Sequence, residues 1–344
     1  MKKVLCAAAV LAICATPLAA MAEGTTVYGQ LRYSVNSVDE DTVSGQDGLS
    51  GEDNVSLFGL NGSFGEDVKA FFHIQTGANA DAAGDAFSQR FFFGGLEGAF
   101  GKVAYGRMTN AYKYPGFALD PFYNYSGVNA AGAFSAGGAT YGLSGATNGF
   151  TENAVQYVTP SMAGVKVTGG VFIDDSNEDD HGYLIGASYA YKALNVGAVF
   201  ATNDDTATIA GLVADGDAIR GYANYKFNDT WKAALSVEQV DIDDPTAVDP
   251  TDTMSAEYVY LTGTMMVPSI KMDFSAAVGV VTDGPAEGTG ITLGAWYDVA
   301  KNTKLFALAS YADIDPDETD YPGADHKPLV ISLGAQHKFS LSSN

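Results

Sequence analysis

Hydrophobic and polar residues alternate along most of the chain, in segments of roughly ten residues separated by Gly-, Asp- and Asn-rich connections. From Thr25 to Val35 one parity reads Val27, Gly29, Leu31, Tyr33 and Val35, and the other Thr26, Tyr28, Gln30, Arg32 and Ser34. Val68, Ala70, Phe72 and Ile74 oppose Lys69, Phe71, His73 and Gln75 in the same way. Between Ala218 and Phe227, Ile219, Ala223, Tyr225 and Phe227 oppose Arg220, Tyr222, Asn224 and Lys226. A fourth case sets Ile270, Met272, Phe274 and Val278 against Lys271, Asp273 and Ser275. Period two means strands, and charge keeps to one face of each. A soluble, half-buried sheet shows the same alternation, so the direction of the apolar face has to come from the connections.

The pattern predicts strands near residues 25–35, 53–64, 67–77, 88–99, 102–109, 152–159, 164–174, 181–191, 194–203, 217–227, 230–241, 255–266, 270–281, 289–299, 303–313 and 328–339, sixteen in all. Their connections alternate in length. Gly65-Glu66, Phe100-Gly101, Asn228-Asp229 and Ala300-Lys301-Asn302 are tight turns, whereas Asp39 to Glu52, Asp204 to Asp217, Asp241 to Asp252 and Asp313 to Asp325 are long and acidic. Tight turns at one end and long loops at the other predict a sixteen-stranded antiparallel transmembrane β-barrel, apolar side outward. An even strand number lets the first and last strands pair, leaving no open edge in lipid. Tyr189, Tyr191, Phe227, Trp231 and Tyr311, near strand ends, suit interfacial aromatic girdles.

Ahead of the strands, Lys2-Lys3, an apolar run from Val4 to Ile13 and the small-residue ending Ala20-Met21-Ala22 have the form of a secretory signal, residues 1–22, leaving residues 23–344 as the barrel domain. Cys6 and Cys14 both lie in that leader, and Ile13 stands where lipidation of Cys14 requires a small residue. No thiol remains in the mature chain for disulfide or metal chemistry. Past the leader no apolar run approaches the ~18 residues of a membrane-spanning helix. Without Lys2 and Lys3, 16 Lys and Arg face 41 Asp and Glu, a net charge of −25. That surface argues against nucleic acid as a partner. The 47% hydrophobic content excludes a disordered chain, so the charge must be segregated from the apolar surface.

Several stretches resemble the trimeric general porins of Gram-negative bacteria. These are Val27-Tyr28-Gly29-Gln30-Leu31-Arg32, Phe58-Gly59-Leu60-Asn61-Gly62 and Val68-Lys69-Ala70-Phe71-Phe72. The run from Arg90 to Gly98, its continuation from Phe100 to Arg107, Asn153 to Tyr157, and Gly334 to Phe339 add to the likeness. The resemblance implies a homotrimer in the outer membrane, in contact with its lipid and lipopolysaccharide and inserted by the barrel-assembly machinery. It also implies a pore narrowed by an inward-folded third loop. That loop, about residues 109–151, is the longest connection. It holds Tyr112, Tyr114, Phe117, Phe122, Tyr123 and Tyr125 but only Lys113 and Asp120 as charges, which favours packing inside the barrel over free solvation.

By position in the family, Arg90, Arg107 and Arg32 form the basic side of the constriction, with Asp120 as its acidic pole, while Gln30, Lys69 and His73 lie on the polar parity expected to line the pore. Two family positions that are usually basic hold Leu57 and Phe150, which implies a weaker transverse field. The family normally ends on an aromatic that the assembly machinery reads, whereas five residues follow Phe339, a tail expected to blunt that recognition or hang in the periplasm.

Catalytic constellations are not apparent. His73, His181, His326 and His337 show no metal-ligand spacing. The run from Asp313 to Glu318 lacks the Gly and the closing Glu of a calcium loop. Asp174-Asp175 with Glu178-Asp179-Asp180 is a candidate for weak calcium or magnesium binding. No cofactor is expected and the chain reads as no enzyme. The function expected is passive diffusion of ions and small hydrophilic solutes through a water-filled pore, mildly cation-selective because its mouth is acidic. The alternatives are a sugar- or oligosaccharide-selective channel, with the aromatic third loop as a sliding surface, and a secreted, acidic, calcium-dependent β-sandwich adhesin.

Overall fold

The structure, a computed structural model, describes residues 24–39, 48–78, 86–125, 140–145, 150–173, 181–203, 216–243, 253–284, 286–316 and 327–343. The proposed signal, the acidic cluster from Asp174 to Asp180 and most of the long acidic loops lie outside those residues.

Sixteen antiparallel strands close into one barrel. The first is β1 (Thr25–Asp39). The second, β2, comes in two pieces, Gly48–Asp53 and Leu57–Phe64, both paired to β1. Then follow β3 (Val68–Ala78), β4 (Phe87–Gly98), β5 (Gly101–Met108), β6 (Thr151–Val158), β7 (Val165–Ile173) and β8 (His181–Tyr191). The second half comprises β9 (Leu194–Asn203), β10 (Gly216–Lys226), β11 (Trp231–Asp243) and β12 (Thr253–Val267). It ends with β13 (Met272–Thr282), β14 (Ala286–Ala300), β15 (Thr303–Pro316) and β16 (Leu329–Ser342). A short helix, α1 (Lys113–Leu119), lies in the third loop.

Closure is made by β1 and β16, paired from Thr26↔Ser342 to Asp39↔Leu329. Beyond it, the Ser343 amide donates to the Thr25 carbonyl. The residues after Phe339 are thus not a dangling tail: Ser340, Leu341 and Ser342 extend the closing strand against Tyr28, Val27 and Thr26. Free backbone groups of β1 claim them, since each unpaired backbone group at a strand edge in a bilayer costs several kcal/mol.

The two faces are sorted as the alternation predicts. Leu31, Tyr33 and Val35 point outward and are exposed, whereas Arg32, Ser34 and Asn36 on the other parity are buried inside. Ile219 is exposed beside fully buried Arg220, and Val278 is exposed beside buried Ala277. Every connection at one rim is tight, including the Pro268–Ile270 turn of 3-10 helix between β12 and β13. At the opposite rim only β13 and β14 are joined by a short link, residues 283–285, the one departure from the length alternation. Tyr189 stacks on Tyr191 and Tyr225 meets Phe227 edge-on at the tight-turn rim, as interfacial rings do. The closed barrel excludes the β-sandwich alternative.

The core of this fold is the third loop packed into the lumen. Tyr112, Phe122, Tyr125, Tyr141 and Leu143 are all buried. Phe122, Tyr125 and Leu143 cluster with Tyr260, Trp296, Phe306 and Leu308 of the wall, and Tyr112 with Met108, Phe172 and Val199. Where the returning limb crosses the wall, backbone lies on backbone. A Cβ on Gly279 would stand 1.8 Å from the Tyr141 carbonyl oxygen, and one on Gly142, whose φ is +97°, 2.3 Å from the Gly279 Cα. Gly279→Val is therefore expected to lift the loop from β13, giving larger and noisier single-channel currents and a stability loss of about 1–3 kcal/mol. Currents identical to those of the parent protein in planar bilayers would contradict this seating of the loop.

Candidate functional site

Three irregularities in the strands build the lumen wall. Strand β2 breaks between Asp53 and Leu57, where Val55 takes φ 63°, a rare conformation for a β-branched residue. The carbonyls released there turn to the lumen. Asn54 O accepts from Arg32 Nε at 2.6 Å, and Val55 O from Gln30 Nε2 at 3.2 Å. In β4, Gln75 pairs with Phe91 but Thr76 with Gln89, so Arg90 is an extra residue. Strict alternation would set Arg90 on the side of Phe92, which is 61% exposed outside. The bulge instead lets both Arg90 and Phe91 reach the lumen. A second shift, between Gly106 and Met108, re-aims Arg107.

A chain of hydrogen bonds ties these groups together. Arg90 Nε donates to Gln75 Oε1 at 2.7 Å, Gln75 Nε2 donates to the Tyr28 hydroxyl at 2.8 Å, and that hydroxyl contacts His73 Nε2. Arg107 Nε donates to the Arg90 carbonyl at 3.0 Å, and its guanidinium pairs with Glu152, which is 66% exposed. Phe150, standing where a basic residue was expected, becomes a platform for cations. Arg90, Arg107 and Lys113 lie over its ring at 4.9, 5.1 and 4.6 Å from the centroid. Lys69 lies further toward the tight-turn rim, in a cleft shared with Glu97, Lys102 and Lys166.

Lys113 opens α1, whose start is set by Asn110. Its Oδ1 accepts from the Lys113 amide at 2.8 Å, while its Nδ2 donates to Thr151 Oγ1 at 2.9 Å. Burial, then the nearby charges of Arg90 and Arg107, hold the Lys113 ammonium down at about 7.

Asp120 does not turn to Arg90. Its Oδ1 accepts from the Tyr260 hydroxyl at 2.6 Å and the Phe122 amide at 2.8 Å, and its Oδ2 from the Thr140 hydroxyl at 2.7 Å and amide at 3.3 Å. Burial pushes its carboxyl up, and these four donors pull it back only in part. The residue expected as the acidic pole is engaged as an anchor of the loop on β12. Arg32 braces the same loop from the other side, donating to Asn124 O at 2.8 Å with its guanidinium 4.1 Å over Tyr125.

One anchor went unnoticed in the sequence. Arg220 and Glu238, neighbours on β10 and β11, form a 2.7 Å ion pair with both side chains 0% exposed. Arg220 also donates to the Tyr112 carbonyl, and Glu238 accepts from the Tyr112 hydroxyl and from the Ser144 hydroxyl and amide. Both limbs of the loop are held by one buried pair. The signal was present: a hairpin centred on Asn228-Asp229-Thr230 puts 220 opposite 238, two charges on lumen parity.

The arrangement is a lumen narrowed by a loop fastened to β10–β15, where Lys113 of the loop meets Arg90, Arg107 and Glu152 of the facing wall around the Phe150 ring. Among the described residues no group of His, Asp and Glu could hold a metal ion.

A family model described as Gram-negative porin matches residues 7–319. The chain is 25% identical to the major outer membrane protein P.IB of Neisseria meningitidis and 24% identical to an outer membrane porin protein of Bordetella pertussis. Each alignment covers 98% of this chain and 100% of the relative. Among solved structures, the anion-selective porin from Comamonas acidovorans superposes with a TM-score of 0.68 at 19% identity, covering 92% of this chain and 99% of that one. The trimer form of OmpT from Vibrio cholerae gives 0.65 at 16% identity, covering 92% and 100%. The fold, the loop-narrowed lumen and the family match agree, and the chain belongs to the Gram-negative porins of the outer membrane.

Proposed function

We propose that this porin is a trimeric diffusion channel for ions and small hydrophilic solutes, with two selectivity zones of opposite sign. The observation that carries the reading is the sign of charge at the narrowing. Between Asn110 and Thr151 the only charged residues are Lys113 and Asp120, and Asp120 is turned into the wall. Among the described residues, Arg32 is turned to the loop backbone, and the charges that meet at the narrowing are Arg90, Arg107 and Lys113 with Glu152. Such a constriction favours anions, while acidic loops at the mouth enrich cations. The trimer form of OmpT and the anion-selective porin from Comamonas acidovorans are consistent precedents for assembly and for the inner zone. Sugar sliding along the third loop finds less support, because Tyr112, Phe122 and Tyr125 spend their faces on the wall.

Exposed mouth charges are screened more strongly than the half-buried Arg90 and Arg107 and the buried Lys113: the Debye length falls from about 10 Å at 0.1 M to about 3 Å at 1 M. Reversal potentials in KCl gradients are therefore expected to shift from mild cation preference at low salt toward chloride as salt rises. Arg90→Gln should move them back toward potassium. A preference that fades with salt and never crosses to chloride would remove the inner zone from the account.

The charge on Lys113 gives the inner zone a pH dependence. Below about 7 the ammonium is protonated and adds to the cationic field, and above it the amine is neutral. Chloride preference should fall as pH rises from 6 to 8, and Lys113→Met should flatten that profile. Equal slopes in the two proteins would show that another group titrates.

A further inference from the structure

The lumen side of β3 and β4 carries an uninterrupted strip of rings that a general diffusion channel does not require. Phe150 meets Phe91 at 5.2 Å, edge to face. Phe91 meets His73 at 4.8 Å and Phe93 at 5.8 Å, and Phe93 meets Phe71 at 6.4 Å. None of these phenylalanines faces lipid, since the outward parity of the same strands is taken by Phe72, Ile74, Phe92 and Leu96. All are half-buried, with surface left over for another ring. Phe71 and Phe93 rest partly against the core around Met108 and Tyr112, and the ring surface left over on the strip is apolar area that a passing ring covers favourably.

The ends of the strip differ. At the constriction end Arg90, Arg107 and Lys113 converge on Phe150, three cations around one ring with Glu152, paired to Arg107, as the one carboxylate, so the group is net positive. At the other end Lys102 lies 4.1 Å over Phe71, but Lys102 and Lys69 both pair in register with Glu97, so charge there is mixed. A solute that satisfies both features has a flat π face for the strip and a negative group for the cationic end.

We propose that the wall formed by Phe91, Phe93 and His73, capped by Arg90, Arg107 and Lys113, is a transient binding site for small aromatic carboxylates. The ring stacks or packs edge-on against Phe91 and Phe93, and the carboxylate lies under the cations. Passage toward the tight-turn rim then proceeds over Phe71, where Glu97 weakens the hold on an anion and helps release. Sugars fit less well, because the polar groups flanking the rings, Gln75, the Tyr28 hydroxyl and Glu152, are already engaged with one another or with Arg90 and Arg107, and the charge left over is positive. The assignment rests on the open-channel reading above and deepens it.

The test uses the purified, detergent-refolded or native porin in planar bilayers, with benzoate and cyclohexanecarboxylate as probes. They share charge and approximate size, and only one has a π face. Benzoate should reduce the single-channel KCl current saturably, half-maximally at a concentration about two- to tenfold lower than cyclohexanecarboxylate, the range one aromatic pair supplies. Phe91→Leu should bring the two probes together, and Phe93→Leu provides a second variant if the first does not insert. Equal block by both probes in the parent protein, or an unchanged ratio in the variants, overturns the proposal. Failure to form any conducting channel would strike at the diffusion reading itself and is separable by the KCl current alone.

Discussion

No backbone amide or carbonyl can go unpaired where lipid surrounds it, and almost everything in this protein follows from that constraint. A sheet with edges is forbidden, so the sixteen strands must meet, and β1 and β16 do so over their full length. Closure in turn creates an interior that sixteen strands cannot fill with their own side chains. The usual relation of core to surface is inverted: apolar side chains face out to the bilayer, and polar ones are buried inside.

The interior is then organised by the third loop, which supplies the hydrophobic packing that the wall lacks. Its attachment is electrostatic as much as apolar. The Arg220–Glu238 pair, Asp120 on Tyr260 and Arg32 on Asn124 hold it at three separated points. A buried pair of this kind is costly to break, on the order of 3–5 kcal/mol when one partner is removed. That rigidity is what allows the opposite wall to keep a defined distance from the loop. Lumen cations can stay clustered there because ring faces, backbone carbonyls and Glu152 share their charge.

The barrel itself was legible in the sequence, since alternation and connection length are both direct consequences of a lipid face and a water face. Strand bounds such as 181–191 and 194–203 emerge unchanged in the structure. The inward third loop was legible from its shortage of charge. What alternation cannot express is an interruption of alternation. Arg90 carries the parity of a lipid-facing residue and reaches the lumen only through a one-residue bulge, and the break at Val55 is likewise silent in the pattern. Asp120 shows a different limit. Charge counting says that a carboxylate is in the loop, but its direction depends on Tyr260, 140 residues away, which no local pattern connects to it.

The seam between β1 and β16 has a kinetic meaning. Every other strand can zip to a neighbour a short turn or a loop away, whereas Thr26 and Ser342 are separated by 316 residues. Bringing such distant partners together carries an entropy cost on the order of 5 kcal/mol, against a fraction of that for a hairpin. Hairpins should therefore accumulate first and the seam should form last, so that for most of its assembly the sheet is an open ribbon with two hungry edges. Residues 340–342, by lengthening the seam, add hydrogen bonds to the one step that turns a ribbon into a cylinder.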